Sequence, residues 1–143
     1  MARHPFGFDD AQLERYARHL ILPELGGRGQ RALLDATVVL DGEGPACDEA
    51  LHFLVAAGVG RVVLAGAVAP GTADHVGALN PDVTLLPASE ASPEVPVVHA
   101  AGTHAAGALA ALQAILRLAG RPDAAWRLDP DIPGLSIPSE APP

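Results

Sequence analysis

Apolar positions along this chain recur first at helical spacing and then in short continuous runs. Leu13, Tyr16, Ala17 and Leu20 share one face of a helix that Asp9 and Asp10 can cap and Pro23 stops. Gly26 and Gly27 predict a turn, and Arg28 to Leu34 a second short helix. Thr37 to Leu40 is a β-branched apolar run, the pattern of a buried parallel strand. Gly42 to Gly44 reads as a loop. Pro45 then suits the first turn of a helix to Ala57, with Leu51, Leu54 and Val55 on its apolar face. Gly58-Val59-Gly60 ends that helix and leads into a second strand, Arg61 to Ala65. Together these segments make one βαβ unit, which joins parallel strands.

The second half is less regular. Gly66 to Asp82, rich in Gly, Ala and Pro, reads as loop. Val83 to Leu86 and Val95 to His99 read as strands, separated by a linker over Pro87 to Glu94. Thr103 caps a helix to Ala119, with Ala108, Leu112, Ile115 and Leu116 among its buried positions. Gly120 and Pro122 end it. From Asp123 onward Pro, Asp and Ser dominate, and Trp126 and Leu128 are the side chains able to pin that segment. The expected fold is a small three-layer α/β domain over residues 1–122, with a parallel sheet of about four strands, followed by a Pro-rich tail over 123–143.

Composition narrows the chemistry. The chain has 143 residues, 49% hydrophobic but only 3% aromatic, so Ala, Val and Leu must build the core. Its formal net charge is −8, which argues against nucleic acid and anionic membranes as partners. All nine basic residues are arginine, so no step that needs a lysine ammonium is available. One cysteine, Cys47, excludes a disulfide framework and a four-cysteine zinc site. The N-terminus lacks the charged-then-apolar pattern of a signal peptide, and the expected compartment is the cytoplasm. The apolar run Ala100 to Ala119 contains His104, Gln113 and Arg117 and reads as a buried helix rather than a membrane span.

The stretch Glu14-Arg15-Tyr16-Ala17-Arg18-His19-Leu20-Ile21-Leu22-Pro23, followed by Gly29-Gln30-Arg31-Ala32-Leu33-Leu34, is long and specific. With Ala56-Ala57-Gly58-Val59-Gly60-Arg61 it resembles the opening of the ThiF/MoeB/HesA adenylating enzymes, relatives of the ubiquitin-activating enzymes. Weaker likenesses follow at Leu79-Asn80-Pro81 and in the helix around Ala106 to Ala114. The resemblance implies a reduced, doubly wound (Rossmann-like) fold. It also implies ATP and Mg²⁺ as cofactors, a ubiquitin-like or sulfur-carrier protein as substrate, and a homodimer. Arg18 matches the arginine that reaches across the family's dimer toward the partner's ATP.

The loop between the first strand and its helix departs from the family. Gly42 and Gly44 keep two positions of a G-x-G-x-x-G turn, but Cys47 replaces the third glycine and Pro45 removes an N–H donor. Asp41, Glu43, Asp48 and Glu49 ring the loop with carboxylates. Each like-charge contact with a polyphosphate costs about 1 kcal/mol even at high dielectric, while the helix dipole offers about 0.3–1 kcal/mol. Gly66 stands where the resemblance implies an Asp for the ribose hydroxyls. The family's Asp-x-x-Asn-x-x-Arg-Gln motif, nucleotide lysine, metal-binding Asp and Cys-x-x-Cys pairs are missing.

The expectation is therefore a degenerate, non-catalytic member. Gly42, Gly44 and Arg18 are its vestigial nucleotide site, with no catalytic residue, metal or cofactor. Its role is binding or scaffolding, as a homodimer or with a ubiquitin-like carrier protein or a catalytic homologue. The alternatives are an active adenylyltransferase using ATP and Mg²⁺, and a dinucleotide-binding redox module. Cys47 reads as a packed thiol rather than a nucleophile, and Asp41 with Glu43 as solvated loop charges rather than an acid–base pair. The six histidines read as scattered, and a three-histidine metal site at His75, His99 and His104 is the alternative weighed against that.

Overall fold

A computed structural model describes residues 4–120, and residues 1–3 and 121–143 lie outside the described part. The domain boundary expected at residue 122 and the anchors Trp126 and Leu128 fall there too. Four strands form one sheet: β1 (Thr37–Gly42), β2 (Arg61–Leu64), β3 (Thr84–Pro87) and β4 (Val97–Ala100). Their order is β3-β2-β1-β4 and every pairing is parallel, with Val39 opposite both Val63 and Val97. The chain winds outward from β1 to β3, then returns to the far side of β1. That reversal is the topology of a Rossmann-like α/β sheet.

Helices α4 (Gly44–Ala57), α5 (Thr72–Gly77) and α6 (His104–Leu118) cover one face. Val38, Leu40, Val62 and Val98 turn toward it and join Leu51, Leu54, Val55 and Ile115 in a core without an aromatic ring. With such small side chains, the elements must approach closely to fill space. Gly107 shows how: a Cβ there would collide with the Ala46 carbonyl oxygen, so α6 lies on α4 backbone to backbone. The Ala/Gly side of α6 is thereby used within the domain.

Val39 and Val63 alternate to the opposite face and are buried. The β3-to-β4 connection crosses there with only a 3-10 turn, Ala88–Glu90, against β2. Among the described residues, that face carries this thin strap rather than a helix. Pro87, Pro93 and Pro96 punctuate that strap and leave no uninterrupted run for a helix. Pro96 also explains why β4 begins at Val97 rather than Val95. It brings no N–H to the ladder, and only its carbonyl takes part, accepting from the Val39 N–H at 2.8 Å. The segment expected as loop after Gly66 contains α5, whose single buried apolar residue, Val76, gives no period to read. Among the described residues, no helix is long and apolar enough to cross a membrane.

Before the sheet come α1 (Asp10–Arg15), α2 (Ala17–Leu20) and α3 (Gly26–Asp35). Asp9 caps α1 and exchanges bonds with Gln12 in a capping box. The single helix expected up to Pro23 breaks at Tyr16, whose φ of −101° and ψ of 10° leave the helical region. The break lets the Tyr16 ring enter the interior, where it is 1% exposed. Its hydroxyl donates to Asp82 Oδ2 at 2.9 Å and accepts from Asn80 Nδ2 at 3.0 Å. Asn80 Nδ2 also donates to the Val55 carbonyl, and Arg15 Nη1 holds Asp82 at 2.7 Å. Alongside, Gln30 Nε2 donates to the Ala57 carbonyl, and its Oε1 sits 2.8 Å from His19 Nδ1. Gly58 ends α4 at φ 85°, and a Cβ there would stand 2.7 Å from the Tyr16 hydroxyl. The buried polar cluster thus ties the N-terminal helices, the end of α4 and the loop before β3 together.

Burial, reinforced by the Asp82 carboxylate, pushes the Tyr16 hydroxyl up to about 12, although the Asn80 bond pulls the other way. The folded state therefore keeps this proton where the unfolded chain, titrating near 10, has lost it. The stability linked to it is complete below pH 10 and is lost as pH rises through about 12, by at most about 2.7 kcal/mol. Tyr16 is the only tyrosine, so tyrosinate absorbance reads it directly. We expect a native midpoint near 12. A midpoint at the value of the unfolded chain would remove the buried hydroxyl from the account. Tyr16→Phe should cost about 1–3 kcal/mol in denaturant unfolding, because Asn80 and Asp82 each lose a partner.

Candidate functional site

The site expected from sequence lies where β1 hands over to α4. β1 continues through Asp41 and Gly42, Glu43 occupies the N-cap position, and α4 starts at Gly44. No side chain caps this helix end, and Pro45 in its first turn supplies no N–H. Gly42, at φ 135°, lies against β4, where any Cβ would collide with the Ala100 carbonyl oxygen. Its N–H donates to Asp41 Oδ1 at 2.9 Å, so one donor that an anion would use is already taken. Gly44 turns the chain at φ 68° into open space.

A cleft of about 410 Å³ opens above this turn, lined by Glu43, Pro45, Asp48, Val68, Ala69 and His104. Asp48 Oδ1 accepts from the Ala69 N–H at 2.8 Å and ties the loop after β2 to α4. His104 Nδ1 lies 3.2 Å from Glu49 Oε2, so whatever charge it carries is met locally. His99 Nδ1 is 3.7 Å from Asp41 Oδ2, and His75 lines a neighbouring cleft with His52 and Asp48. The three histidines considered for a metal are thus held at different places. No group of three potential metal ligands converges among the described residues.

Gly66 carries the sharpest information. A Cβ at this position would lie 2.5 Å from the Gly42 carbonyl oxygen and 2.7 Å from the Gly42 nitrogen. The loop after β2 is laid directly on the β1 turn, so the ribose-binding acid implied by the resemblance has no room. Neither the lining nor the backbone fits a metal-bound polyphosphate. The cleft presents Glu43 and Asp48, no lysine or arginine lines it, and Asp41 already occupies the Gly42 N–H.

Arg18 sits elsewhere. It belongs to α2, which packs on α3, and α3 leads into the start of β1, whereas Gly42 closes its far end. Within one chain, Gly42 and Gly44 come together and Arg18 does not join them. Cys47 is fully buried among Val38, Ala50 and Leu51. Burial first, then the carboxylates of Asp48 and Asp41, push its thiol up, the reverse of an activated nucleophile. The sequence reading missed the Tyr16–Asn80–Asp82 cluster. Its signal was the Leu-Asn-Pro segment, where a buried Asn needs partners.

No family model matches the chain. Curated proteins do match a segment of it. The SAMP-activating enzyme E1 of Haloferax volcanii is 45% identical over 56 residues, 39% of this chain and 21% of that protein. A sulfur carrier protein adenylyltransferase of Thermus thermophilus is 51% identical over 51 residues, 36% of this chain and 19% of its own length. The heterocyst HesA protein of Trichormus variabilis is 43% identical over 53 residues, 37% and 20% respectively. Over that segment, the chain is similar to adenylating enzymes of the ThiF/MoeB/HesA type. It spans about a fifth of the length of the curated relatives it matches.

Two outcomes follow from this geometry. Gly66→Asp, which restores the acid, should lower the melting temperature by several degrees, because its Cβ must displace the β1 turn. An unchanged melt would show that the two loops are not in contact. Native Cys47 should react with iodoacetamide near neutral pH only at the slow rate of global or local opening, and rapidly once the chain is unfolded. Fast labelling of the folded protein would contradict the buried thiol.

Proposed function

We propose that this chain is a non-catalytic relative of the carrier-protein adenylyltransferases, a binding or scaffolding module that keeps their frame. Gly42, Gly44 and Arg18 are the remnant of the nucleotide site. The observation that carries this reading is the closure of Gly66 onto Gly42 beside a cleft lined by Glu43 and Asp48. The natural partner is a ubiquitin-like or sulfur-carrier protein, or a catalytic homologue, in the cytoplasm. The matched SAMP-activating enzyme E1 and sulfur carrier protein adenylyltransferase support that class of partner.

A thermal-shift titration with Mg-ATP tests the reading. We expect no saturable stabilisation, whereas occupancy at 100 times Kd would add about 2.7 kcal/mol. A saturable shift would replace this proposal with an active adenylyltransferase, and a shift with NADH alone would favour the redox module.

The module is further proposed to act as a homodimer. Ile21, 80% exposed, and Leu22, 43% exposed, project beside α2 as its apolar anchor. Tyr16, expected to contribute, is buried within the domain, and the Ala/Gly side of α6 is engaged by α4. Light scattering at micromolar concentration should give twice the chain mass, and Ile21→Asp should return it to one. A single-chain mass across dilution would sink the dimer.

A further inference from the structure

We propose that the cavity between the last turns of α6 and the start of β4 binds a small aliphatic carboxylate, with its chain inside and its charged head at Arg117. The cavity measures about 310 Å³ and lies at the end of the sheet away from Gly42. Its floor belongs to the core: Val38 of β1 and Val98 of β4, both buried. Ala114 and Leu118, one turn apart on α6, face them, and Pro96 and Val97 form the rim. The space follows from how α6 is held. Gly107 brings this helix backbone to backbone onto α4. Ala114 then offers only a methyl group opposite the two valines, too little to close the gap.

Size and charge define the ligand. The volume is near the lower bound of ligand pockets and roughly twice that of a cavity that takes one benzene ring. On that scale it suits a chain of roughly eight to twelve carbons. Among the described lining residues, the only charged one is Arg117. Arg117 has another interaction within the chain, and the five N–H donors of a guanidinium allow a carboxylate beside it. The nearby C-terminus of α6 carries about half a negative charge, which the full charge of Arg117 exceeds. No carboxylate is in the wall. Those that ring the β1 turn begin at Asp41, three residues along β1 from Val38. That is about 10 Å, more than the screening length of about 8 Å at physiological salt. An apolar interior with one cationic group thus selects an amphipathic anion over an alcohol or an amine of the same length. The site stands apart from the remnant nucleotide turn, so this inference and the proposed function fail separately.

Octanoate is the probe, added to the full chain and followed by amide NMR. Saturable shifts should appear at Val97, Val98 and Leu118 and not at Gly44 or Asp48, with a Kd of the order of 1 mM. Octanol should bind about fivefold more weakly, and octylammonium more weakly still. Arg117→Gln should remove the preference for octanoate while leaving octanol within about twofold. Ala114→Leu, which fills the cavity, should abolish the shifts with either probe while far-UV circular dichroism stays native. If that variant does not fold, Val97→Phe at the half-exposed rim takes its place, with a several-fold loss expected. N-acetyl-valyl-leucine presents the same groups at a chain terminus. The tighter of this probe and octanoate tells whether the site takes a protein C-terminus or a free acid. No saturable shift with either overturns the proposal. So does equal binding of octanoate, octanol and octylammonium, or binding indifferent to both cavity variants.

Discussion

Backbone contact at small residues is the constraint on which this fold rests. With few aromatic rings to span gaps, its layers meet where side chains are absent. α6 meets α4 at Gly107 and Ala46, β1 meets β4 at Gly42 and Ala100, and the loop after β2 meets β1 at Gly66 and Gly42. Each contact brings two main chains to a separation that a methyl group would break. Two of the three lie at the turn between β1 and α4. The glycines there therefore serve packing, and the same closeness that fills the sheet's upper end removes the space a ribose contact would need.

The other end of the domain is organised by polarity rather than by small size. A tyrosine hydroxyl between an amide and a carboxylate both donates and accepts a hydrogen bond, and so is tolerated inside. The cluster gives α1 and α2 a fixed position against the end of α4 and the loop before β3. It gives the Arg-Tyr-Ala-Arg stretch and the Leu-Asn-Pro segment a structural role. Arg15, Tyr16 and Asn80 hold structure at the end of the sheet far from Gly42.

Much of the architecture was legible because its signals are local. Asp9 and Thr103 cap the helices they were expected to cap, and Gly58 ends α4. The βαβ unit follows from the apolar runs of β1 and β2. What escaped the sequence depends on contacts between distant residues. The break at Tyr16 is set by partners at Asn80 and Asp82, and the start of β4 by the ladder bond that Pro96 makes to Val39. α5 is anchored by one valine, too little for a period. At the candidate site the absences were visible as residue types, but the reason Gly66 admits no side chain lies in the position of Gly42, which no spacing encodes.

The order of strands in the sheet also has a consequence for how the chain is made. β1 is a central strand, and its two neighbours come from opposite ends of the sequence that follows it. β2 emerges from the ribosome soon after β1 and can pair at once. The other side of β1 stays open until β4 appears, and α4 lacks its main helical neighbour until α6 is complete. During synthesis the nascent chain therefore carries a half-satisfied, strongly apolar strand through most of its length. The net negative charge and the carboxylates around the β1 turn then oppose association between unfinished chains at the stage when that edge is bare.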